Sequence, residues 1–385
     1  MKSGSFIIFF TIVLAVYGLV NTYIFLRGLQ AIPAGSTYRI WFILGFWFLV
    51  STFILGRVLD RAGTTGLSTV LTWIGSFWLG AMLYFLLIVV FVDLARLLNH
   101  FFHLFPSLFY TDWQQTKLIA LYSSVILVLV LIIAGHINTL YPKIRKLDLD
   151  IAKTVKGSKD LHMVMASDIH LGAIIGKNRA ASLVNKINSL NPDIIILDGD
   201  IVDEDLAPVI RQNLGESLKA LKAKFGVWAI TGNHEYIGGV IPAVEYLIAH
   251  NIKFIRDSSV LIDNRFWLVG REDRDRTRFT GQPRKSLEEV MKDVDRSYPV
   301  ILLDHQPFNL SNAVAQGADL QLSGHTHHGQ LFPANLITDA IYELSYGYKK
   351  IGNTHFYVSS GFGTWGPPVR IGTSAEIVDI YLHFR

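Results

Sequence analysis

The sequence predicts an N-terminal transmembrane module of about four helices, followed by an α/β domain in which two facing β-sheets are flanked by helices. Three observations support this fold class. Hydrophobic residues make up 51% of the 385 residues and charged residues only 17%, with the apolar excess almost wholly before residue 141. Four apolar stretches in that part are each close to the roughly 20 residues that cross a bilayer. After residue 160, short apolar runs alternate with amphipathic helical patterns.

The four predicted spans cover residues 5–26, 38–56, 67–92 and 118–140. The first is longer than the apolar core of a signal peptide, and no small-residue cleavage site follows it, so we interpret it as a retained span. Segment 93–117 carries leucines and phenylalanines at helical spacing among polar residues. It is predicted to lie as a helix in the membrane interface.

The predicted boundaries are 1–141 for the transmembrane module, 142–160 for a basic linker and 161–385 for the α/β domain. Apolar stripes predict helices in the domain at 178–190, 207–224, 240–250 and 286–296. Three later strand segments without clear helices between them predict a second sheet packed on the first: 260–270, 355–360 and 376–384.

Lysine and arginine near the span ends predict the orientation of the chain. One side carries Lys2, Arg57, Arg61, Lys143, Arg145 and Lys146, reinforced by Lys153, Lys156 and Lys159, and the other carries Arg27, Arg39, Arg96 and Lys117. With four spans, both termini and the α/β domain face the cytoplasm. The expected location is an integral membrane protein, in the inner or cell membrane if the source is bacterial.

Other compositional features exclude several classes of function. The net charge of +4 is spread without a dense basic tract, which gives no support for a nucleic-acid partner. Cysteine is absent, so disulfides and thiolate ligands are excluded. His136 lies inside the fourth span without an evident ionisable relay partner, and we interpret it as a neutral histidine bonded to a neighbouring helix.

Five polar motifs in the C-terminal half each follow a short apolar run that is typical of a buried strand. Ligands at the carboxyl ends of several strands meet in one place. Carboxylates, an amide and imidazoles gathered there are what a two-metal hydrolytic centre requires. Each motif alone is weak to moderate evidence, and their common position is what carries the prediction. The motifs comprise Asp168 and His170; Gly199, Asp200 and Asp203; Gly232, Asn233, His234 and Glu235; Asp304 and His305; and Gly324, His325 and His327.

In order and spacing these motifs resemble the calcineurin-like metallophosphoesterase family, over about residues 160–385. The resemblance implies a metal-dependent phosphoric ester hydrolase with two facing sheets. It implies two divalent transition-metal ions, of which Mn, Fe, Zn or Co suit nitrogen and carboxylate ligands. Asp200 would be shared between them. By resemblance, one ion is held by Asp168, His170, Asp200 and His327, and the other by Asp200, Asn233, His305 and His325.

The resemblance also assigns roles around the two ions. A hydroxide bridging them would attack phosphorus in line. His234 would assist the leaving oxygen or stabilise the transition state, a task that suits a titratable imidazole. Asp203 and Glu235 are candidates to orient a ligand imidazole as hydrogen-bond acceptors. His328 departs from the family, where glycine is common, and is a candidate phosphate contact or a surface residue.

The loop from Gly361 to Arg370 bears on the substrate. It contains Phe362 and Trp365, and resembles the C-terminal loop of a membrane-associated branch that includes UDP-2,3-diacylglucosamine pyrophosphohydrolases. Arg370 would meet a lipid phosphate while the aromatic side chains meet its tail. The alternative is an ordinary packed loop, because aromatic residues usually serve packing.

These patterns together predict a membrane enzyme that cleaves a phosphoester or pyrophosphate bond, with the lipid bilayer as partner and a lipid-linked phosphate as substrate. One alternative is a phosphodiesterase for soluble nucleotides or phosphoproteins. Another is a transport or receptor module regulated by the phosphoesterase domain, which the scarcity of polar groups in the spans disfavours. His162 and His355 occupy strand positions and are predicted to be packed or surface histidines.

Overall fold

The computed structural model describes residues 3–61, 66–106, 112–157 and 160–385. The chain divides into two compact units. The first runs to His136 and also includes Gly366–Val369, and the second comprises Ile137–Trp365 and Arg370–Arg385. Lys2 and Lys159, two of the lysines used to predict orientation, lie outside the described residues, as does the side chain of Arg61.

The first unit contains, within its described residues, four helices long and apolar enough to cross a membrane. A helix satisfies every backbone hydrogen bond within itself, which a bilayer core requires. The helices match the four predicted spans, and each extends beyond its predicted span at one end or at both. They are α1 (Ser3–Ala31), α2 (Tyr38–Arg61), α3 (Gly66–Phe102) and α4 (Trp113–Leu140).

Small residues let the second and third helices approach closely. A Cβ atom on Gly75 would lie 2.4 Å from the backbone of Phe53, and one on Gly56 would lie 2.7 Å from the backbone nitrogen of Thr72. Van der Waals packing of this kind is what holds helices together in lipid, where no hydrophobic force acts between them. The contact between α2 and α3 therefore depends on both glycines.

One prediction for the first unit is wrong in detail, and the structure defines the surroundings of His136 more closely than the sequence did. Segment 93–117 is not a separate interfacial helix, because α3 continues unbroken through Phe102; residues 107–111 lie outside the described part. His136 does not bond a neighbouring helix through its Nδ1 atom, which instead lies 2.7 Å from the carbonyl oxygen of Pro368. Its ring packs edge-on against Phe77, with 5.1 Å between ring centroids.

The second unit contains two six-stranded sheets. The first sheet has the order β1-β12-β2-β3-β4-β5, and the second has β10-β11-β9-β8-β7-β6. The strands β2 to β5 run parallel, as do β7, β8, β9 and β11. The strands are β1 (Lys143–Ile151), β2 (Asp160–Ala166), β3 (Ile194–Asp198), β4 (Val227–Ile230), β5 (Ile252–Phe254), β6 (Ser258–Ile262), β7 (Phe266–Gly270), β8 (Val300–Leu303), β9 (Leu320–Ser323), β10 (Gly347–Ile351), β11 (Thr354–Val358) and β12 (Glu376–Phe384).

Alternation along the strands builds a layered core. Met163 and Met165 of β2 face the apolar layer between the two sheets, while Val164 faces the helices outside the first sheet. Successive strand residues point to opposite faces, so one strand supplies both layers. The helices are α5 (Lys177–Ser189), α6 (Ala207–Arg211), α7 (Leu214–Lys219), α8 (Asn233–Gly238), α9 (Val240–Ala249), α10 (Arg276–Thr280), α11 (Leu287–Val290), α12 (Leu310–Ala315) and α13 (Ala334–Ile341).

The predicted fold class is confirmed, with four local corrections, one of which is that the predicted helix 286–296 is limited to the four residues of α11. Residues 143–151 form β1, which pairs in parallel with β12, so the predicted linker 142–160 is largely a strand. The last strand, β12, joins the first sheet and not the second. The predicted helix 207–224 is two short helices, α6 and α7, because Asn213 between them adopts a left-handed backbone conformation.

Candidate metal centre

Both sheets deliver the predicted ligands to one place. Asp168, Asp200 and Asn233 follow β2, β3 and β4 of the first sheet, while His305 and His325 follow β8 and β9 of the second. Parallel strands present their carboxyl ends at a common edge, which is where α/β folds bind ligands. The structure thus brings together residues that are far apart in the chain, as shown by the 3.0 Å between the Nε2 atoms of His170 and His327, which are 157 positions apart.

The first group of ligand atoms comes from Asp168, His170 and His327, and these atoms lie within 4.8 Å of one another. The Nε2 atoms of His170 and His327 are 3.0 Å apart. The Nε2 atom of His327 also lies 3.4 Å from a carboxylate oxygen of Asp168. Imidazole nitrogens and a carboxylate oxygen that converge in this way are donor types that fit a transition-metal ion.

The second group comes from Asp200, His305 and His325, again within 4.8 Å. The Nδ1 atom of His305 lies 2.7 Å from the carbonyl oxygen of Asp198, which can only accept, so Nδ1 carries a proton. The opposite ring atom, Nε2, lies 3.1 Å from a carboxylate oxygen of Asp200. In the neutral ring that nitrogen is an acceptor, and two facing acceptors require a proton or a metal ion between them. Nδ1 therefore keeps its proton in either charge state of the ring, and Nε2 can ligate a metal ion once its own proton is lost.

Asn233 lies beside the second group. Its side-chain oxygen is 2.8 Å from the Nδ1 atom of His325. An amide oxygen next to imidazole and carboxylate completes a mixed nitrogen and oxygen donor set. All seven predicted ligands thus lie in or beside two adjacent clusters.

Asp200 lies between the two clusters. Its Oδ2 atom is 3.1 Å from Nε2 of His305 and 4.0 Å from Nε2 of His170. Its Oδ1 atom accepts from the backbone N–H of His234 at 2.8 Å. Burial alone would raise the pKa of Asp200, but the charges of His305 and His234 outweigh it and lower that pKa well below the usual range. The carboxylate is therefore ionised and accessible to both groups.

The backbone of the ligand segments is held in an uncommon conformation. Five of the seven predicted ligands have positive φ angles between 48° and 71°: Asp168, His170, Asp200, His325 and His327. Non-glycine residues rarely adopt this region, and such strain concentrates at functional sites. Close packing supports it, since a Cβ atom on Gly232 would lie 2.1 Å from Oδ1 of Asp200, and one on Gly324 would lie 2.3 Å from Oδ2 of Asp168.

Asp203 faces two imidazoles. Its Oδ1 atom lies 3.2 Å from Nδ1 of His234 and 3.7 Å from Nδ1 of His170. Its carboxylate is thus close to both rings, and the predicted role of Asp203 in orienting a ligand imidazole stays a prediction. Burial disfavours a charged His234, but the carboxylates of Asp200 and Asp203 outweigh it and raise the pKa of His234 to about 9.

Glu235 has a different role from the predicted one. Its carboxylate accepts from the backbone N–H groups of Asp200, Val202 and Gly232, at 2.7–3.0 Å. It bonds no ligand imidazole among these contacts. Because it ties the segment after β3 to the segment after β4, Glu235 fixes the distance between Asp200 and Asn233.

Two predicted substrate contacts are wrong. Arg370 is 1% exposed, and its guanidinium donates to the carbonyl oxygens of Ser360 and Gly363 at 2.6 and 2.7 Å. It also lies 3.1 Å from Nδ1 of His327, on the side of the ring away from Nε2. Phe362 is fully buried in the core beside α5. Neither side chain is exposed to solvent, so we assign both to the packing that surrounds the ligand segments and not to contact with substrate.

Trp365 and His328 remain at the surface of the unit. Trp365 is 57% exposed, and its ring lies 6.4 Å from that of His234. His328 is half-buried and stacks on Tyr346 at 4.9 Å, with Nε2 3.7 Å from Asp339. His162 and His355 are packed histidines as predicted, the first stacked on Tyr381 and the second bonded to Tyr348, and both outside the metal clusters.

Sequence reasoning missed an aromatic wall beside His325. The ring of Tyr342 lies 6.2 Å from that of His325 and 4.7 Å from that of Phe308. The guanidinium carbon of Arg274 sits 4.6 Å above the Phe308 ring. None of these three residues belongs to a motif; the richness of 271–285 in arginine is a signal for Arg274 only.

Comparison with known proteins supports the same assignment. The family model for the calcineurin-like phosphoesterases matches residues 161–329. An uncharacterized metallophosphoesterase of Campylobacter jejuni is 30% identical over 391 residues, covering 98% of both chains. An uncharacterized metallophosphoesterase of Aquifex aeolicus is 31% identical, covering 63% of this chain and 93% of that one.

A third relative is described as a transmembrane protein. A transmembrane protein with metallophosphoesterase domain from Danio rerio is 30% identical over 284 residues, which cover 70% of this chain. The match spans 63% of that protein's own length, so less than two thirds of it corresponds to this chain.

Proposed function

The chain belongs to the calcineurin-like metallophosphoesterase family of metal-dependent phosphoric ester hydrolases, and we propose that it hydrolyses a lipid-linked phosphoester or pyrophosphate with two divalent ions. It is a membrane protein, with four long apolar helices and relatives described as transmembrane proteins. We also propose which residues hold the two ions, which residue acts as the acid, which class of substrate is cleaved and on which side of the membrane the catalytic domain lies.

The position of Asp200 between the two ligand groups carries the proposal. A carboxylate within 4.0 Å of an imidazole from each group can serve both at once. Two divalent ions, when bound, polarise phosphoryl oxygens and lower the pKa of bound water. The chain's part is to hold Asp168, His170 and His327 on one side of Asp200, and Asn233, His305 and His325 on the other.

His234 is proposed to assist the leaving oxygen. It adjoins the ligand Asn233 without belonging to either assigned ligand group, and its ring is perpendicular to that of His170 with 4.5 Å between centroids. Asp203 holds Nδ1 of the ring, which leaves Nε2 to donate a proton or a hydrogen bond. Its backbone N–H is fixed by Asp200, so the ring is placed by the same residue that serves both ions.

An exposed apolar surface next to His234 supports a lipid substrate. Gln330 accepts from the backbone N–H of Trp365 at 2.8 Å and donates to its carbonyl oxygen at 3.0 Å, and so fixes the backbone that carries this exposed side chain. Gln330 also leads into α13, whose apolar face is uncovered. Exposed apolar surface of this extent usually marks a binding site for a partner, ligand or membrane. The exposed residues are Phe332, Leu336, Ile337 and Ile341, each 50–61% exposed.

We also propose that the catalytic domain faces the cytoplasm, on the count of lysines and arginines at the span ends. Of these, Arg57 stacks on Phe53 at the end of α2, while Arg27 and Arg96 share Asp93 at the other end of the bundle. The closer resemblance to UDP-2,3-diacylglucosamine pyrophosphohydrolases stays a prediction.

A substrate panel tests the lipid proposal. Full-length protein in detergent is offered phospholipids, isoprenyl phosphates, UDP-diacylglucosamine, soluble nucleotides and p-nitrophenyl phosphate. We expect the highest kcat/KM with a lipid, and we expect Trp365→Ala to lower it for the lipid while sparing p-nitrophenyl phosphate. Ile248→Ala is the matched control, since Ile248 is equally exposed on α9.

Other outcomes would point elsewhere. A clear preference for a soluble nucleotide would favour a phosphodiesterase whose helices serve as anchor only. Equal losses on both substrate types in Trp365→Ala would make Trp365 structural and remove the support for a lipid substrate.

A further inference from the structure

The four helices of the first unit surround a large cavity. Its volume is about 1600 Å³, larger than the roughly 300–1000 Å³ typical of small-molecule pockets. All four helices contribute to its lining, which is predominantly aliphatic and aromatic, as with Phe46, Trp78, Phe85, Val128 and Leu129. An apolar cavity of this size within a membrane module fits hydrocarbon chains better than water.

One end of the cavity is charged. Arg27 lies near the end of α1, Asp93 and Arg96 lie near the end of α3, and Lys117 lies near the start of α4. These are the charged side chains of Arg, Lys, Asp and Glu type among the lining residues. Three cations and one carboxylate leave this end with an excess of two positive charges.

The positively charged side chains contact either the carboxylate of Asp93 or the ring of Trp113. Asp93 accepts from the hydroxyl of Tyr23 at 2.5 Å and pairs with Arg27 at 2.7 Å. The centroid of the Trp113 ring lies 5.2 Å from the guanidinium carbon of Arg96 and 5.8 Å from Nζ of Lys117. Arg96 also lies 3.7 Å from Asp93, a longer separation than that of Arg27. Cations that rest on an aromatic face keep their charge available to an anion.

The apolar part is long enough for an acyl chain. From Lys117 to Ile132 the lining follows α4 for 15 residues, which is about 22 Å at 1.5 Å per residue. That exceeds half of the roughly 30 Å hydrocarbon core of a bilayer. A free phosphate ion would meet the cations but leave this length unfilled.

We propose that this cavity binds one phospholipid with an anionic head group, the head group meeting Arg96 and Lys117 and the acyl chains filling the apolar length. The site uses none of the residues that form the metal clusters. It is therefore independent of the substrate proposed above, and it can exist whichever phosphoester the enzyme cleaves.

Native mass spectrometry of the full-length protein tests the proposal. Protein stripped of lipid by prolonged detergent exchange is offered phosphatidylglycerol or phosphatidylcholine with identical acyl chains. We expect one phosphatidylglycerol per chain, bound about tenfold or more tightly than phosphatidylcholine, because each basic residue near a membrane surface favours an anionic lipid. Equal retention of the two lipids would overturn the proposal.

Variants locate the site. The double variant Arg96→Gln with Lys117→Gln should abolish the preference for phosphatidylglycerol, while Arg57→Gln, at the other end of the bundle, should keep it. Ala120→Trp, which places an indole in the lining, should reduce binding of both lipids. Helix content and hydrolysis of p-nitrophenyl phosphate confirm that each variant is folded. An unchanged preference in the double variant, or the same loss in Arg57→Gln, would contradict the assignment.

Discussion

Replacing Arg370 tests whether this buried side chain holds the loop next to the ligand Asp168 in place. Its guanidinium is buried and bonds the carbonyl oxygens of Ser360, Gly361 and Gly363, as well as Nδ1 of His327. Replacing it with glutamine leaves at least two of those buried acceptors unpaired. Each unpaired group costs about 1–3 kcal/mol, so we expect a loss of roughly 3–4 kcal/mol in the free energy of unfolding. At about 2–4 °C per kcal/mol for a domain of this size, the melting temperature should fall by roughly 10 °C.

The metal content should fall as well, because the loop that Arg370 holds also holds Asp168. Gly363 donates its backbone N–H to the carbonyl oxygen of Asp168 at 2.7 Å. Thermal unfolding and metal analysis of the full-length variant measure both effects. Arg265→Gln is the matched control, since Arg265 is also buried and bonds a carbonyl, that of Asp160; it should lower stability without loss of metal. Unchanged stability and metal content with a raised KM in Arg370→Gln would show that Arg370 contacts substrate and does not support the loop.

Two other predictions concern turnover and orientation. His234→Ala should lower kcat by about 10²–10⁴ at unchanged metal content, the usual contribution of a positioned acid–base group; normal kcat with two bound ions would make His234 structural. A reporter fused after Arg385 should be active only as a cytoplasmic reporter, and digestion of the domain by protease added outside intact cells would reverse the orientation.

The positions of the candidate ligands were predictable because each ligand motif is a short segment that directly follows a strand in the sequence. Each ligand motif follows an apolar strand, and strand ends of one sheet meet at one edge, so Asp168, Asp200 and Asn233 had to converge. His305 and His325 joined them from the second sheet, which a resemblance to known sequences implied and the strand pattern alone did not fix.

The supporting contacts were not predictable, because they depend on pairings distant in sequence. Glu235 and Arg370 both carry charges that suggest ligand or substrate contact, yet each bonds backbone groups from other segments. The strand β1 was missed because its first residues, 143–146, are exposed and mostly basic and resemble a linker. The burial of Leu149 and Ile151 follows from pairing with β12 at the far end of the chain. At the edge of a sheet, pairing with a strand that is distant in sequence can outweigh the β-propensity of the residues themselves.

A single carboxylate, that of Asp200, is proposed to serve two metal ions, and the metal content of the protein tests this. Asp200→Ala and the wild type are both purified without chelator and analysed by elemental mass spectrometry. We predict nearly two transition-metal ions per wild-type chain and a loss affecting both sites in the variant, with hydrolysis of p-nitrophenyl phosphate lost in parallel. Two fully bound ions in Asp200→Ala would rule out the shared ligand.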